Sequence, residues 1–144
     1  MASIYAESSV VLTWLLGEPR ADEFHSITIR ADSVVSSVLT IVEVRRGLLR
    51  REKEGGLSLE ARSRLDRLLT RACSQWHLME ITPEVRARAE QVFPVEPVRT
   101  LDALHLATAL HFARAFPGLQ IASFDGRVRG NARALGLGPA EPAR

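Results

Sequence analysis

Short β-like runs alternate with longer helical periods along the whole chain, and that alternation admits few folds. Ser3–Ala6, Ser33–Ser36, His77–Ile81 and Gln120–Phe124 read as strands, each separated from the next by helical periods. Parallel neighbours require crossovers of a dozen or more residues, and a parallel sheet is covered by helices on both faces. The pattern predicts a three-layer α/β/α fold around a central, mostly parallel sheet. In such sheets ligands bind outside the carboxyl ends of the strands, near the point where strand order reverses.

Helix boundaries follow from capping chemistry. Ser8 or Ser9 is expected to cap a helix through Val11, Leu12, Leu15 and Leu16, stopped by Gly17-Glu18-Pro19. A short helix follows over Ala21–Ile29. Ser37–Glu54 reads as a long helix closed by Gly55-Gly56, and Ser58 caps the next. Thr82-Pro83 is a cap followed by proline at the first helical position, opening a helix to about Val92. Thr100 is expected to cap an apolar helix over Leu101–Phe116, and Asp125–Ala134 is the closing helix. The expected organisation is one domain over 1–137 with a loose tail over 138–144.

Composition excludes other classes. In 144 residues, 46% are hydrophobic and 25% charged, which is ordinary for a globular chain and not for a disordered one. Cys73 is the only cysteine, so no disulfide framework exists; it is expected to pack between helices. No apolar stretch approaches the ~20 residues of a bilayer span, and the N-terminus lacks a basic leader, so a cytoplasmic location without membrane contact is expected. The net charge of +2 does not by itself announce a nucleic-acid binder. Its distribution is more telling: Lys53 is the only lysine among 19 basic residues, and arginines cluster at 45, 46, 50 and 51 and again at 62, 64, 67 and 71. Arginine presents a rigid, bidentate donor fork to phosphate.

Carboxylates stand at the strand–helix junctions. Glu7 ends the first strand, Glu43 lies in the helix after the second, Asp102 sits in the first turn of the apolar helix, and Asp125 follows the last strand. Like charges brought together resist joint ionisation, and a hard divalent cation removes the conflict. Mg²⁺ takes oxygen ligands at about 2.0–2.1 Å and retains waters. Held at a phosphodiester, it polarises the phosphoryl oxygen and lowers the pKa of bound water. Each acid also has an ordinary reading. Asp125 can cap its helix, Asp102 can complement a helix dipole, Glu43 has capping-box spacing from Thr40, and Glu7 can be a solvated strand end.

The residues around these acids resemble a known family. Ile4-Tyr5-Ala6-Glu7-Ser8-Ser9-Val10, Ser37–Glu43, Leu101-Asp102-Ala103-Leu104-His105-Leu106-Ala107-Thr108-Ala109 and Ser123-Phe124-Asp125, in that order, are similar to the motifs of PIN-domain nucleases. The Leu-Asp-Ala-Leu-His-Leu-Ala segment is the most specific, and the size resembles VapC-type toxins of toxin–antitoxin pairs. The resemblance implies a PIN-like fold and Mg²⁺ or Mn²⁺ held by Glu7, Glu43, Asp102 and Asp125 as the catalytic and metal-binding set. It also implies hydrolysis of RNA to 3′-hydroxyl and 5′-phosphate ends, a VapB-like antitoxin partner and a homodimer. Arg45 and Arg46, just beyond Glu43, are placed to guide an RNA backbone. One departure stands out: the family normally has aspartate at the position of Glu7. The extra methylene shifts the carboxylate by roughly an ångström, and misplacement of that order can cost ~10²-fold in rate. Glu7→Asp is therefore expected to preserve or raise activity. The alternative is a catalytically weakened PIN fold that binds RNA without cutting it.

Other candidates carry less. His105, one turn after Asp102, reads either as a ligand partner or as a packed, hydrogen-bonding histidine, and the apolar helix favours the second. Ser8, Ser9 and Ser123 are placed to cap, to turn, or to orient a carboxylate. Trp14 and Trp76 read as core or interface residues. No Gly-x-Ser-x-Gly elbow, Gly-x-Gly-x-x-Gly loop or Walker loop is present. A phosphoacceptor receiver would need a lysine near its last strands, where there is none.

Overall fold

A computed structural model describes residues 2–144; Met1, the first residue of the expected domain, lies outside the described residues. The elements are β1 (Ile4–Ala6), α1 (Ser8–Leu16), α2 (Ala21–Thr28), β2 (Val34–Ser37), α3 (Val38–Lys53), α4 (Leu59–Cys73), β3 (His77–Met79), α5 (Pro83–Ala89), α6 (Thr100–Ala113), β4 (Gln120–Ala122) and α7 (Gly126–Ala134). The sheet order is β3-β2-β1-β4, and every pairing is parallel. The expected three-layer α/β/α architecture is present.

Strand alternation divides the core in two. On one face Ile4, Ala6 and Ala122 pack with Val10, Val11 and Leu15 of α1, Phe24 of α2, Val44 and Leu48 of α3 and Leu69 of α4. On the other, Tyr5, Val35 and Ile121 pack with Leu106, Ala109 and Phe112 of α6 and Val128 and Ala132 of α7. Trp14, Trp76 and Cys73 lie against the first cluster, as their core readings anticipated. β2 and β4 flank β1 on opposite sides, so the chain's order reverses at β1. The carboxyl ends of β1 and β4 therefore open the crevice in which a ligand is expected.

Local differences from the sequence reading have identifiable causes. α1 is capped by Glu7, whose carboxylate accepts from the Ser9 amide; Ser8 and Ser9 are already helical. Gly17 closes that helix at φ 62°, a left-handed conformation glycine adopts without Cβ strain. Thr100 is the first helical residue of α6 rather than its cap, and Arg99 at the cap makes no side-chain capping bond. Glu43 lies within α3 and closes no capping box with Thr40, because Ser37 caps that helix through the Leu39 amide. α6 ends at Ala113, α5 at Ala89 and β4 at Ala122, each short of the expected boundary. The residues after α7 are not loose. The Ile121 amide donates to Leu137 O, the Ala140 amide donates to Ile121 O, and Glu141 pairs with Arg129 at 2.5 Å. That returning segment satisfies the outer edge of β4, which would otherwise expose unpaired backbone groups.

Candidate active site

Glu7 extends from the end of β1 and is 5% exposed. A buried carboxylate must be hydrogen-bonded, and this one is bonded heavily. Oε1 accepts from Ser8 Oγ at 2.7 Å. Oε2 accepts from the Ser9 amide at 3.1 Å, Ser9 Oγ at 2.5 Å and Ser123 Oγ at 2.9 Å. The serines therefore orient a carboxylate, one of the roles their positions suggested. Ser123 Oγ also accepts from the Asp125 amide at 3.0 Å, and Ser9 Oγ from the Phe124 amide at 2.9 Å. The start of α1 and the end of β4 are joined through this one cradle. Its size is set by a glutamate, so the sequence-based expectation for Glu7→Asp changes: a shorter side chain would leave several donors unmatched.

Asp102 is the opposite case. It lies in the first turn of α6, and its Oδ2 is buried without any hydrogen-bond partner. Arg99 Nε stands 3.7 Å away, an ion-pair approach too long for a hydrogen bond. Burial pushes the Asp102 carboxyl above its ordinary value of 3.8, and the charges of Asp125 and then Glu7 push it further; Arg99 and His105 oppose the rise. Asp125 caps α7 with Oδ1, which accepts from the Arg127 and Val128 amides at 2.9 and 3.1 Å. Its other oxygen, Oδ2, faces Arg99 Nη2 at 3.8 Å. Arg99 thus hangs between two carboxylates, with 73% of its side chain exposed.

Glu43 is turned elsewhere. Its Oε1 lies 2.5 Å from His105 Nε2, and His105 Nδ1 lies 2.7 Å from the Tyr5 hydroxyl. His105 is therefore the packed, hydrogen-bonding histidine favoured by its apolar helix. Sequence reasoning missed its link to Glu43, because nothing in the spacing joins residues 62 positions apart. Glu43 borders a cleft of about 460 Å³ whose lining includes Ser8, Ser9, Leu12, Arg46, Arg50 and Leu101. Arg46 and Arg50 look into that cleft. Arg45 does not: it donates to Asp66 at 2.8 Å and Thr70 at 3.1 Å, tying α3 to α4.

The expected acids thus fall into a group and an outlier. Asp125 and Glu7 lie close enough for their charges to act on Asp102, and Glu43 is held by a histidine. Among the described residues, no set of three or more acidic, histidine or cysteine side chains is arranged to hold a metal ion. A closed protein cage is not what Mg²⁺ usually takes, however; one or two carboxylates with waters and substrate phosphates suffice. The unpaired Asp102 oxygen beside a second carboxylate oxygen fits such a hard cation in donor type and in charge.

A parallel sheet with carboxylates gathered at its switch point defines a class. The chain belongs to the PIN domain family, whose model matches residues 4–133. It is 32% identical over 143 residues to Ribonuclease VapC46 of Mycobacterium tuberculosis, covering 99% of this chain and all of that protein. Its fold is similar to that of the Mycobacterium tuberculosis sarcin-ricin loop cleaving toxin VapC20, with a TM-score of 0.65 at 14% identity, covering 96% of this chain and 99% of that one. A toxin–antitoxin complex from Klebsiella pneumoniae contains a chain with the same fold, with a TM-score of 0.59 at 16% identity and coverage of 85% and 86%. Among the described residues, no helix is long and apolar enough to cross a membrane.

Proposed function

We propose that this PIN-domain protein is a VapC-type endoribonuclease toxin that hydrolyses RNA phosphodiester bonds with the aid of Mg²⁺ or Mn²⁺. The observation that carries the reading is the buried Oδ2 of Asp102, which has no hydrogen-bond donor, next to Asp125. A buried carboxylate oxygen without a donor is costly to ionise, and a cation bound beside it would remove that cost.

The proposed catalytic set remains Glu7, Glu43, Asp102 and Asp125, with unequal tasks. Asp102 and Asp125 would hold the cation. Once there it supplies Lewis acidity toward a phosphoryl oxygen. Glu7 has both oxygens filled by serine donors and contributes fixed negative charge beneath that pair. Glu43 faces the cleft, where it can accept a proton from an attacking water. Arg46 and Arg50 line the same cleft and supply forks for RNA phosphates. The relative's name and the antitoxin complex of a like fold support a toxin held in check by a VapB-like antitoxin; a cytoplasmic location and a homodimer are proposed with it.

The test uses purified protein and a mixed RNA substrate with Mg²⁺ or Mn²⁺, with and without chelator. Cleavage is expected only with the cation, and Asp102→Asn is expected to abolish it. Cleavage that survives both the chelator and Asp102→Asn would overturn the reading. One observation favours a second reading, an RNA-binding module without catalysis: Glu7 and Glu43 already have oxygens committed to serine and histidine donors. RNA retention with no cleavage under any divalent ion would select it.

A further inference from the structure

His105 is a buried titratable side chain that the proposed chemistry leaves unused. It is 1% exposed on an α6 whose buried neighbours are mostly apolar, yet neither ring nitrogen is idle. Nδ1 meets the Tyr5 hydroxyl at 2.7 Å and Nε2 meets Glu43 Oε1 at 2.5 Å. The Tyr5 ring stands edge-on to the imidazole at 74°, with centroids 5.9 Å apart, which fixes the plane of the ring. The chain Tyr5–His105–Glu43 therefore runs from the central strand β1 through α6 to α3, connecting three elements that share no local sequence.

The order of protons along it follows from chemistry. The Glu43 carboxylate can only accept, so Nε2 carries a proton, and Nδ1 is then free to accept from the Tyr5 hydroxyl. A phenol that donates to Nδ1 leaves the ring proton on Nε2, where it donates to Glu43. One oxygen of Glu43 is then occupied and its rotation fixed, leaving Oε2 for the cleft bordered by Ser8, Ser9 and Arg46.

We propose that His105 is a positioning residue: its Nε2–H fixes Glu43 so that the acid presents a single oxygen to the substrate cleft, and Tyr5 sets the tautomer that makes this possible. The proposal rests on the ribonuclease reading for its kinetic consequence, whereas its hydrogen-bond order is independent of that reading.

Two measurements test it. Long-range ¹H–¹⁵N correlation spectra of the histidine-labelled wild type should show His105 as the Nε2–H tautomer, with the Nε2 proton moving upfield in Glu43→Gln. An Nδ1–H tautomer, or an Nε2 proton indifferent to Glu43→Gln, would overturn the proposal whether or not the protein cuts RNA. In RNA cleavage, His105→Leu should lower kcat about 10–100-fold with KM little changed, the range expected when the partner of a reacting group is removed. His105→Gln, which returns an N–H donor, should recover part of that loss; Tyr5→Phe should lose less than His105→Leu. Wild-type levels of kcat in both folded His105 variants would refute the proposal, whereas an inactive wild type would refute the ribonuclease reading and leave the spectra to decide the hydrogen-bond order.

Discussion

Two carboxylates a few residues from the same crevice live under opposite conditions. Glu7 is buried and receives donors on both oxygens; Asp102 keeps a buried oxygen with none. Glu7 is therefore a finished piece of structure, and Asp102 is an unfinished one. The difference teaches that clustered acids at a sheet edge need not share a task. The saturated carboxylate joins β1, α1 and β4, and the unsaturated one is left to a guest.

The sharpest way to break this contrast is Asp102→Asn. Cleavage should fall by more than about 100-fold, beyond what loss of a merely orienting group usually costs. Stability should move the other way. The Asp102 carboxyl is raised in the folded protein, so the unfolded chain releases its proton first as pH rises through the ordinary range. Folding is penalised above that window and unaffected below it. Asp102→Asn should thus melt higher than wild type at pH 7, and the gain should fade as pH falls through about 4, where the wild-type carboxyl becomes protonated in the unfolded chain as well.

Glu7 substitutions should behave in reverse. Glu7→Ala strands buried hydroxyl donors and should cost about 3 kcal/mol or more in urea unfolding, since hydrogen bonds to charged groups are worth about 1.5–3 kcal/mol each. Glu7→Asp should cost less, about 1–3 kcal/mol, because the shorter side chain keeps some donors and loses others. Its cleavage rate should fall below wild type, since Ser123 ties Glu7 to the Asp125 amide. A more stable and more active Glu7→Asp would mean the cradle is not fitted to glutamate. Ser123→Ala should cost about 1.5 kcal/mol, the low end for a hydrogen bond to a charged group, since it removes the bond to Glu7. Smallest of all is Arg99→Gln. Its ion pairs are long and exposed, so unfolding stability should change by less than about 0.5 kcal/mol.

Much of this was readable before any coordinates. The alternation of runs yields the parallel sheet because crossover length and two-sided burial leave little else. Ser58, Thr82 and Asp125 cap where their chemistry says they should. The junction acids could be found because carboxyl ends of strands are where such sheets bind ligands. What stayed hidden depends on distance in sequence. The serines that fill Glu7 come from both ends of the chain, and the His105–Glu43 contact crosses between helices whose periods are independent. Local rules also competed: Glu7 displaced the expected serine caps because a carboxylate at a strand end reaches the next turn's amide. The last residues looked loose from their glycine and prolines, yet an open strand edge supplied partners for their backbone.

Asp102 Oδ2 is buried without a hydrogen-bond donor and has only the distant Arg99 guanidinium as a counter-charge, a deficit that a divalent ion would fill. Thermal melting at pH 7, with Mn²⁺ or Mg²⁺ titrated into wild type and Asp102→Asn, tests it without any RNA. The account predicts a concentration-dependent rise in Tm for the wild type and little or none for the variant. Equal shifts in both proteins, or no shift in the wild type at millimolar cation, would contradict it.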